Sequence, residues 1–221
     1  MNKLFTTIFA VVVSCATASS LAQEIKGDAK VGETKNAMCI GCHGITGYQS
    51  SFPEVYKVPM ISGQGAPYIV SALNAYKKGD RKHPSMRSIA ATLSDQDIAD
   101  LAAYYEGHGV VADAALPAAP AKMPSAEVQA LLNKANCAAC HGANFNQPID
   151  PSYPKLAGQH ADFLFVALKA YKAENNPMVG RGNAIMGGMV NLYTNAELKL
   201  MANYLSSIDG ELKVVPQRSF R

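Results

Sequence analysis

Between Pro67 and Gly79 the apolar residues fall at Ile69, Val70, Leu73 and Tyr76, a spacing that puts them on one face of a helix ending at the glycine. A second helix is predicted after Ser94. Asp97 stands three residues on, close to a capping box, and Ile98, Leu101, Ala102 and Tyr105 form the buried stripe. The same construction returns at Thr194 and Glu197, with Leu198, Met201, Ala202 and Leu205 as the stripe. No stretch alternates apolar and polar residues long enough for a sheet core, so the expected fold class is all-α.

The pattern is duplicated. Val58 to Gly79 aligns with Tyr153 to Glu174. The identities are Pro59, Gly63, Gln64, Ala72, Leu73, Ala75, Tyr76 and Lys77 against Pro154, Gly158, Gln159, Ala167, Leu168, Ala170, Tyr171 and Lys172. Met86 to Tyr105 then lies over Met186 to Leu205. This predicts two modules of ordinary small-domain size, residues 23–111 and 125–221. Residues 112–124 are rich in Ala and Pro and read as a semi-stiff surface linker. Residues 1–22 combine Lys3, an apolar run from Leu4 to Val13 and small residues ending at Ala22. They read as a secretory signal peptide whose run is too short to span a membrane. Val12 to Cys15 loosely resembles a lipoprotein cleavage box, which keeps a lipid anchor at Cys15 as the alternative.

Chemistry enters with the cysteines. Apart from Cys15, the four others form Cys39-Ile-Gly-Cys42-His43 and Cys137-Ala-Ala-Cys140-His141. Structural zinc and a redox dithiol are possible uses of such pairs. A His directly after the second Cys, twice, favours covalent c-type haem. Each thiol then forms a thioether and the adjacent imidazole becomes the proximal iron ligand. The long Gly-, Pro- and Asn-rich loops after each motif are expected to wrap the cofactor.

The sixth ligand decides between electron transfer and small-molecule chemistry. No cysteine is left for it in the exported chain. Met86 and Met186 each precede the cap of their terminal helix by eight residues, and this equivalence marks them as the axial pair. Met189 is the rival to Met186 and His83 the rival to Met86. Met201, Met178 and most of the remaining methionines read as core filler. His108 and His160 read as surface or helix-end histidines. The carbonyls of Pro59 and Pro154 are candidates to accept a hydrogen bond from Nδ1 of His43 and His141, fixing each ring. Tyr76 and Tyr171 either touch a haem propionate or pack.

Taken together, these motifs resemble the dihaem cytochrome c4 family over nearly the whole exported chain. The resemblance rests on the two C-x-x-C-H words, Pro154 to Gln159 with its partner Pro59 to Gln64, and Met86 to Tyr105. It implies two class I cytochrome c folds, two covalent haem c groups, and His43/Met86 and His141/Met186 ligation. It also implies a periplasmic location and electron transfer towards terminal oxidases. The first copy has three more residues between its haem His and Pro59. The second has five more before its Met.

Formal charge is −1 over residues 23–113 and +3 over residues 114–221, a difference that could orient the molecule on a redox protein partner. No basic run points to nucleic acid. The expected function is that of an electron carrier and not an enzyme, since two closed irons leave no vacant site. The alternative is a dihaem redox enzyme, a peroxidase or small-molecule dehydrogenase, or a subunit of one.

Overall fold

A computed structural model describes residues 25–110, 116–173 and 175–216. Residues 1–22, expected to be a signal peptide, and Cys15 among them lie outside the described residues.

The first half runs α1 (Ala29–Lys35), α2 (Ala37–His43), α3 (Ala66–Lys78), α4 (Pro84–Ala91) and α5 (Asp95–Gly107). The second repeats the order as α6 (Ala126–Lys134), α7 (Cys137–His141), α8 (Ala161–Ala170), α9 (Ala184–Val190) and α10 (Asn195–Ser206). The all-α expectation is met. In each half the terminal helix is the hub: α1 and α3 pack on α5, and α6 and α8 pack on α10.

Local chemistry accounts for the hub helices. Ser94 Oγ accepts from Asp97 N while Asp97 bonds back to the Ser94 backbone, and Thr194 and Glu197 do the same, so both capping boxes form. The predicted stripes are buried in full: Ile98, Leu101, Ala102 and Tyr105 in α5, and Leu198, Met201, Ala202 and Leu205 in α10. Helix α3 ends where Gly79 takes φ 85°, a left-handed cap that releases the chain into the next segment.

Helices α1 and α6 were not legible as periodic stretches. They start at Asp28 and Ser125, whose side chains accept from backbone N–H groups of the first turn. Helix α1 is held by a polar anchor. Asp100 is 2% exposed and accepts from Asp28 N at 2.9 Å, Gln96 Nε2 at 2.8 Å and Lys35 Nζ at 2.7 Å. The lysine hydrogen bond holds the Asp100 carboxyl below the ordinary carboxylate range, outweighing the opposing effect of burial.

A carboxylate whose folded pKa lies below its unfolded value contributes stability that is complete above about pH 4 and is lost as pH falls through the folded value. Asp100→Asn should therefore cost about 2 kcal/mol at neutral pH and flatten the acid limb. Urea midpoints measured from pH 3 to 7 check both. The equivalent residue in the second half is Leu200, packed against the larger apolar core there.

Three features depart from the sequence reading. The loop after His43 contains a hairpin, β1 (Gln49–Ser50) antiparallel to β2 (Tyr56–Lys57), with Gln49 opposite Lys57. It also does more than cover its own half. Asp162 of α8 accepts from Lys57 N at 3.0 Å and from Lys57 Nζ at 3.2 Å, and Lys169 pairs with Glu54. Second, β3 (Arg81–Lys82) pairs antiparallel with β4 (Gly180–Arg181), one strand from each half. Third, the chain beyond α10 returns to the first half, where Lys213 N donates to Ser62 O at 3.0 Å. The described part of the 112–124 segment is likewise tied down. Asn144 Nδ2 donates to Pro117 O and Tyr204 Oη to Lys122 O, each at 3.1 Å.

Candidate haem sites

Each C-x-x-C-H word is a helix, α2 and α7, so the two sulfurs and the imidazole project from a single short helical segment. The histidines are fixed from behind. His43 Nδ1 lies 2.8 Å from Pro59 O and His141 Nδ1 lies 3.1 Å from Pro154 O. A carbonyl oxygen only accepts, so Nδ1 carries the hydrogen in both rings and Nε2 keeps the lone pair. Burial holds both rings below the ordinary histidine range, against the pull of the proline carbonyls. At pH 7 both imidazoles are neutral, the form that ligates a metal. Burial also pushes the Cys39 thiol up to about 11 and raises that of Cys137. The four cysteines of the two words are half-buried. The described residues contain no group of three or more His, Cys, Asp or Glu arranged to hold a metal ion, so the two pairs do not converge as a zinc site would need.

Met86 and Met186 occupy the same place in equivalent helices. Met86 N donates to Nδ1 of His83, the cap of α4, at 3.4 Å, and Met186 N donates to Oδ1 of Asn183, the cap of α9, at 2.9 Å. Met186 packs against the second core, whereas Met189 is exposed. Met201 is buried core as expected, whereas Met178 lies at the surface and fills no core. His83 acts as a helix cap. His108 caps the end of α5, 2.9 Å from Ser62 Oγ and stacked on Tyr104, and His160 caps the start of α8.

Tyr76 and Tyr171 each lie under an arginine: Arg81 sits 4.7 Å from the Tyr76 ring centre and Arg181 5.4 Å from that of Tyr171. These arginines are opposite one another in the β3–β4 pair. Neither has a carboxylate partner among the described residues, and Arg81 Nε is buried with no hydrogen-bond partner. The sequence reading did not single them out. The signal was present, because each stands five residues before its methionine. The spacing from Tyr171 to Met186 is five residues longer than that from Tyr76 to Met86, so the arginines do not align when the copies are matched at the tyrosines.

The Cytochrome c family model matches the chain twice, at residues 30–107 and 125–209. Cytochrome c4 of Thiocapsa roseopersicina is 30% identical over 196 residues, 82% of this chain and 93% of that protein. The chain belongs to the dihaem cytochrome c4 family. The crystal structure of reduced recombinant cytochrome c4 from Pseudomonas stutzeri superposes with a TM-score of 0.58 at 25% identity, covering 83% of this chain and all of that one. A thiosulfate dehydrogenase electron acceptor from Stutzerimonas stutzeri is 29% identical, over 77% of this chain and 78% of its own length.

Cytochromes c4 carry two covalently bound haem c groups, one per domain, and the residues here fit them. Each half supplies two thiols and a neutral, oriented imidazole. Two like charges placed opposite each other in a β pair repel, and a buried guanidinium N–H without an acceptor is costly. A porphyrin brings two carboxylates, the anions that this arginine pair lacks. Among the described residues no helix is long and apolar enough to cross a membrane.

Proposed function

We propose that this cytochrome c4 relays single electrons between redox protein partners in the periplasm and performs no substrate chemistry of its own. Cys39 and Cys42 hold one haem by thioether bonds, and Cys137 and Cys140 hold the other. His43 and Met86 close the first iron, His141 and Met186 the second, and the Pro59 and Pro154 carbonyls orient the histidines. The cofactor supplies a one-electron couple, tuned by its ligands and their hydrogen bonds. The protein fixes both ligands, so no coordination position is left for a substrate. The domain limits follow the repeat, residues 23–111 and 125–221, with 112–124 joining them and 1–22 directing export.

The observation that carries this reading is the equivalence of the two halves. Each presents a neutral His with Nδ1 committed to a proline carbonyl, and a Met at the same position behind a capped helix start.

An optical redox titration tests it. Two covalent haems per chain and low-spin spectra in both oxidation states are expected, with the weak ferric band of sulfur–iron ligation and no carbon monoxide binding. High-spin iron in the resting protein overturns the reading.

The electron sink is proposed to be a terminal oxidase, as the family resemblance implies. The relative named as a thiosulfate dehydrogenase electron acceptor favours a second reading of the source, in which the carrier is reduced by a periplasmic dehydrogenase.

A further inference from the structure

Gln64 and Gln159 stand at equivalent positions, and both are 3% exposed. Each half pins its own glutamine through the preceding glycine: Gly63 N donates to Tyr105 O of α5 at 2.8 Å, and Gly158 N to Leu205 O of α10 at 2.9 Å. The side chains cross to the opposite half. Gln159 Oε1 accepts from Met60 N at 3.0 Å and its Nε2 donates to Met60 O at 2.9 Å. Gln64 Oε1 accepts from Lys155 N at 2.9 Å and its Nε2 donates to Lys155 O at 3.1 Å. A buried primary amide thus grips one residue of the other half through both of that residue's backbone groups.

The gripped peptide is the one behind the histidine. Pro59 C=O and Met60 N–H belong to a single peptide unit. Its oxygen accepts from His43 Nδ1 and its N–H donates to Gln159 of the second half. The unit between Pro154 and Lys155 serves His141 at its oxygen and Gln64 of the first half at its N–H.

We propose that the two glutamines are crossed positioning residues, Gln159 for the haem held by His43 and Gln64 for the haem held by His141. An acceptor on a peptide N–H polarises that peptide and makes its carbonyl oxygen a stronger acceptor. A stronger Nδ1–H···O bond makes the imidazole a more basic ligand, which favours ferric iron. Each half therefore lowers the potential of the other's haem and locks its proximal ring, and docking of the halves is built into both redox centres. The proposal rests on the haem assignment above and adds the residues that couple the two sites.

The test is potentiometry of the intact dihaem protein, with each haem assigned by its hyperfine-shifted methyl resonances. Gln159→Leu should shift the first-half haem about threefold towards the ferrous form at a fixed poise. That is about 30 mV upward, at 59 mV per tenfold for one electron. The second-half haem should stay where it was. Gln64→Leu should do the converse. In Gln159→Leu the Met60 amide should also exchange faster and the His43 Nδ1–H resonance should move, while the His141 signal stays. Where the leucine loosens the fold, Gln159→Met and Gln64→Met keep the length and remove only the amide.

Movement of the haem in the same half, equal movement of both, or a fall in potential overturns the proposal. A haem stain on the same samples reports separately on the haem assignment, since a count other than two per chain removes its basis.

Discussion

Met86→Ala should remove the sulfur–iron band of one haem, convert that haem to high spin, open it to carbon monoxide and lower its potential by on the order of 0.2 V, within the ~0.8 V range that axial ligands span. A thioether is a soft ligand that stabilises ferrous iron, and its loss leaves water or an empty position in its place. The second haem should keep its band and its potential within experimental error. The backbone of α4 is set by the His83 cap and by Pro84 at its first position, neither of which needs the thioether, so the variant should fold. His83 is the other candidate for this iron. Its Nδ1 accepts from Met86 N, and burial holds the ring below the ordinary histidine range. If His83 were the ligand, Met86→Ala would leave the optical spectrum intact and His83→Ala would change it. In the second half the same comparison between Met186→Ala and Met189→Ala decides which sulfur binds. Met186 packs on the core and is expected to lose the band. Met189 is exposed and is expected to keep it.

The elements that sequence made legible are those whose information is local. A capping box needs residues three apart, a buried stripe needs a period, and a C-x-x-C-H word needs five positions. All of these sit where the repeat put them. The Pro59 and Pro154 carbonyls were within reach of sequence reasoning too, because a metal-bound imidazole calls for an acceptor at its second nitrogen. What stayed hidden depends on how the halves meet. Gln64 and Gln159 were visible as repeated residues, but their partners are more than ninety positions away in the other copy. Arg81 and Arg181 acquire meaning only when β3 and β4 pair across the junction. The loop after His43 read as a haem wrapper because Gly and Pro suggest irregular chain. Its hairpin and its contacts with Asp162 and Lys169 come from a surface that no single module possesses. Helix α1 escaped because it is short and mostly polar, with Gly32 as its one buried residue, and it is held by Asp100 more than by an apolar stripe.

That polar attachment leaves the α1–α5 crossing with little room to adjust. Gly32→Ala is the change that tests it. On propensity alone the substitution should help, since alanine is favoured over glycine inside a helix by about 0.8–1.0 kcal/mol. The crossing reverses the sign. A Cβ at position 32 would stand 2.1 Å from the Asp100 carbonyl oxygen, 2.6 Å from its carbon and 2.8 Å from Tyr104 Cβ. Two of these are backbone atoms inside α5, which cannot swing aside as a side-chain end can. Relief requires α1 to move away from α5, stretching the hydrogen bonds from Asp28 N and Lys35 Nζ to the Asp100 carboxylate. Overpacking of this kind costs about 3 kcal/mol, which exceeds the propensity gain. The melting temperature of the first half should fall by roughly 10 °C, at about 4–8 °C per kcal/mol for a domain of this size. The comparison variant is Gly107→Ala. Nothing lies within 4 Å of the added methyl there, so the propensity term acts alone and stability should hold or rise slightly. Thermal unfolding of both variants as holoproteins, followed by circular dichroism, separates the two effects. A Gly32→Ala protein that melts with the wild type would mean that α1 does not cross α5 at this glycine.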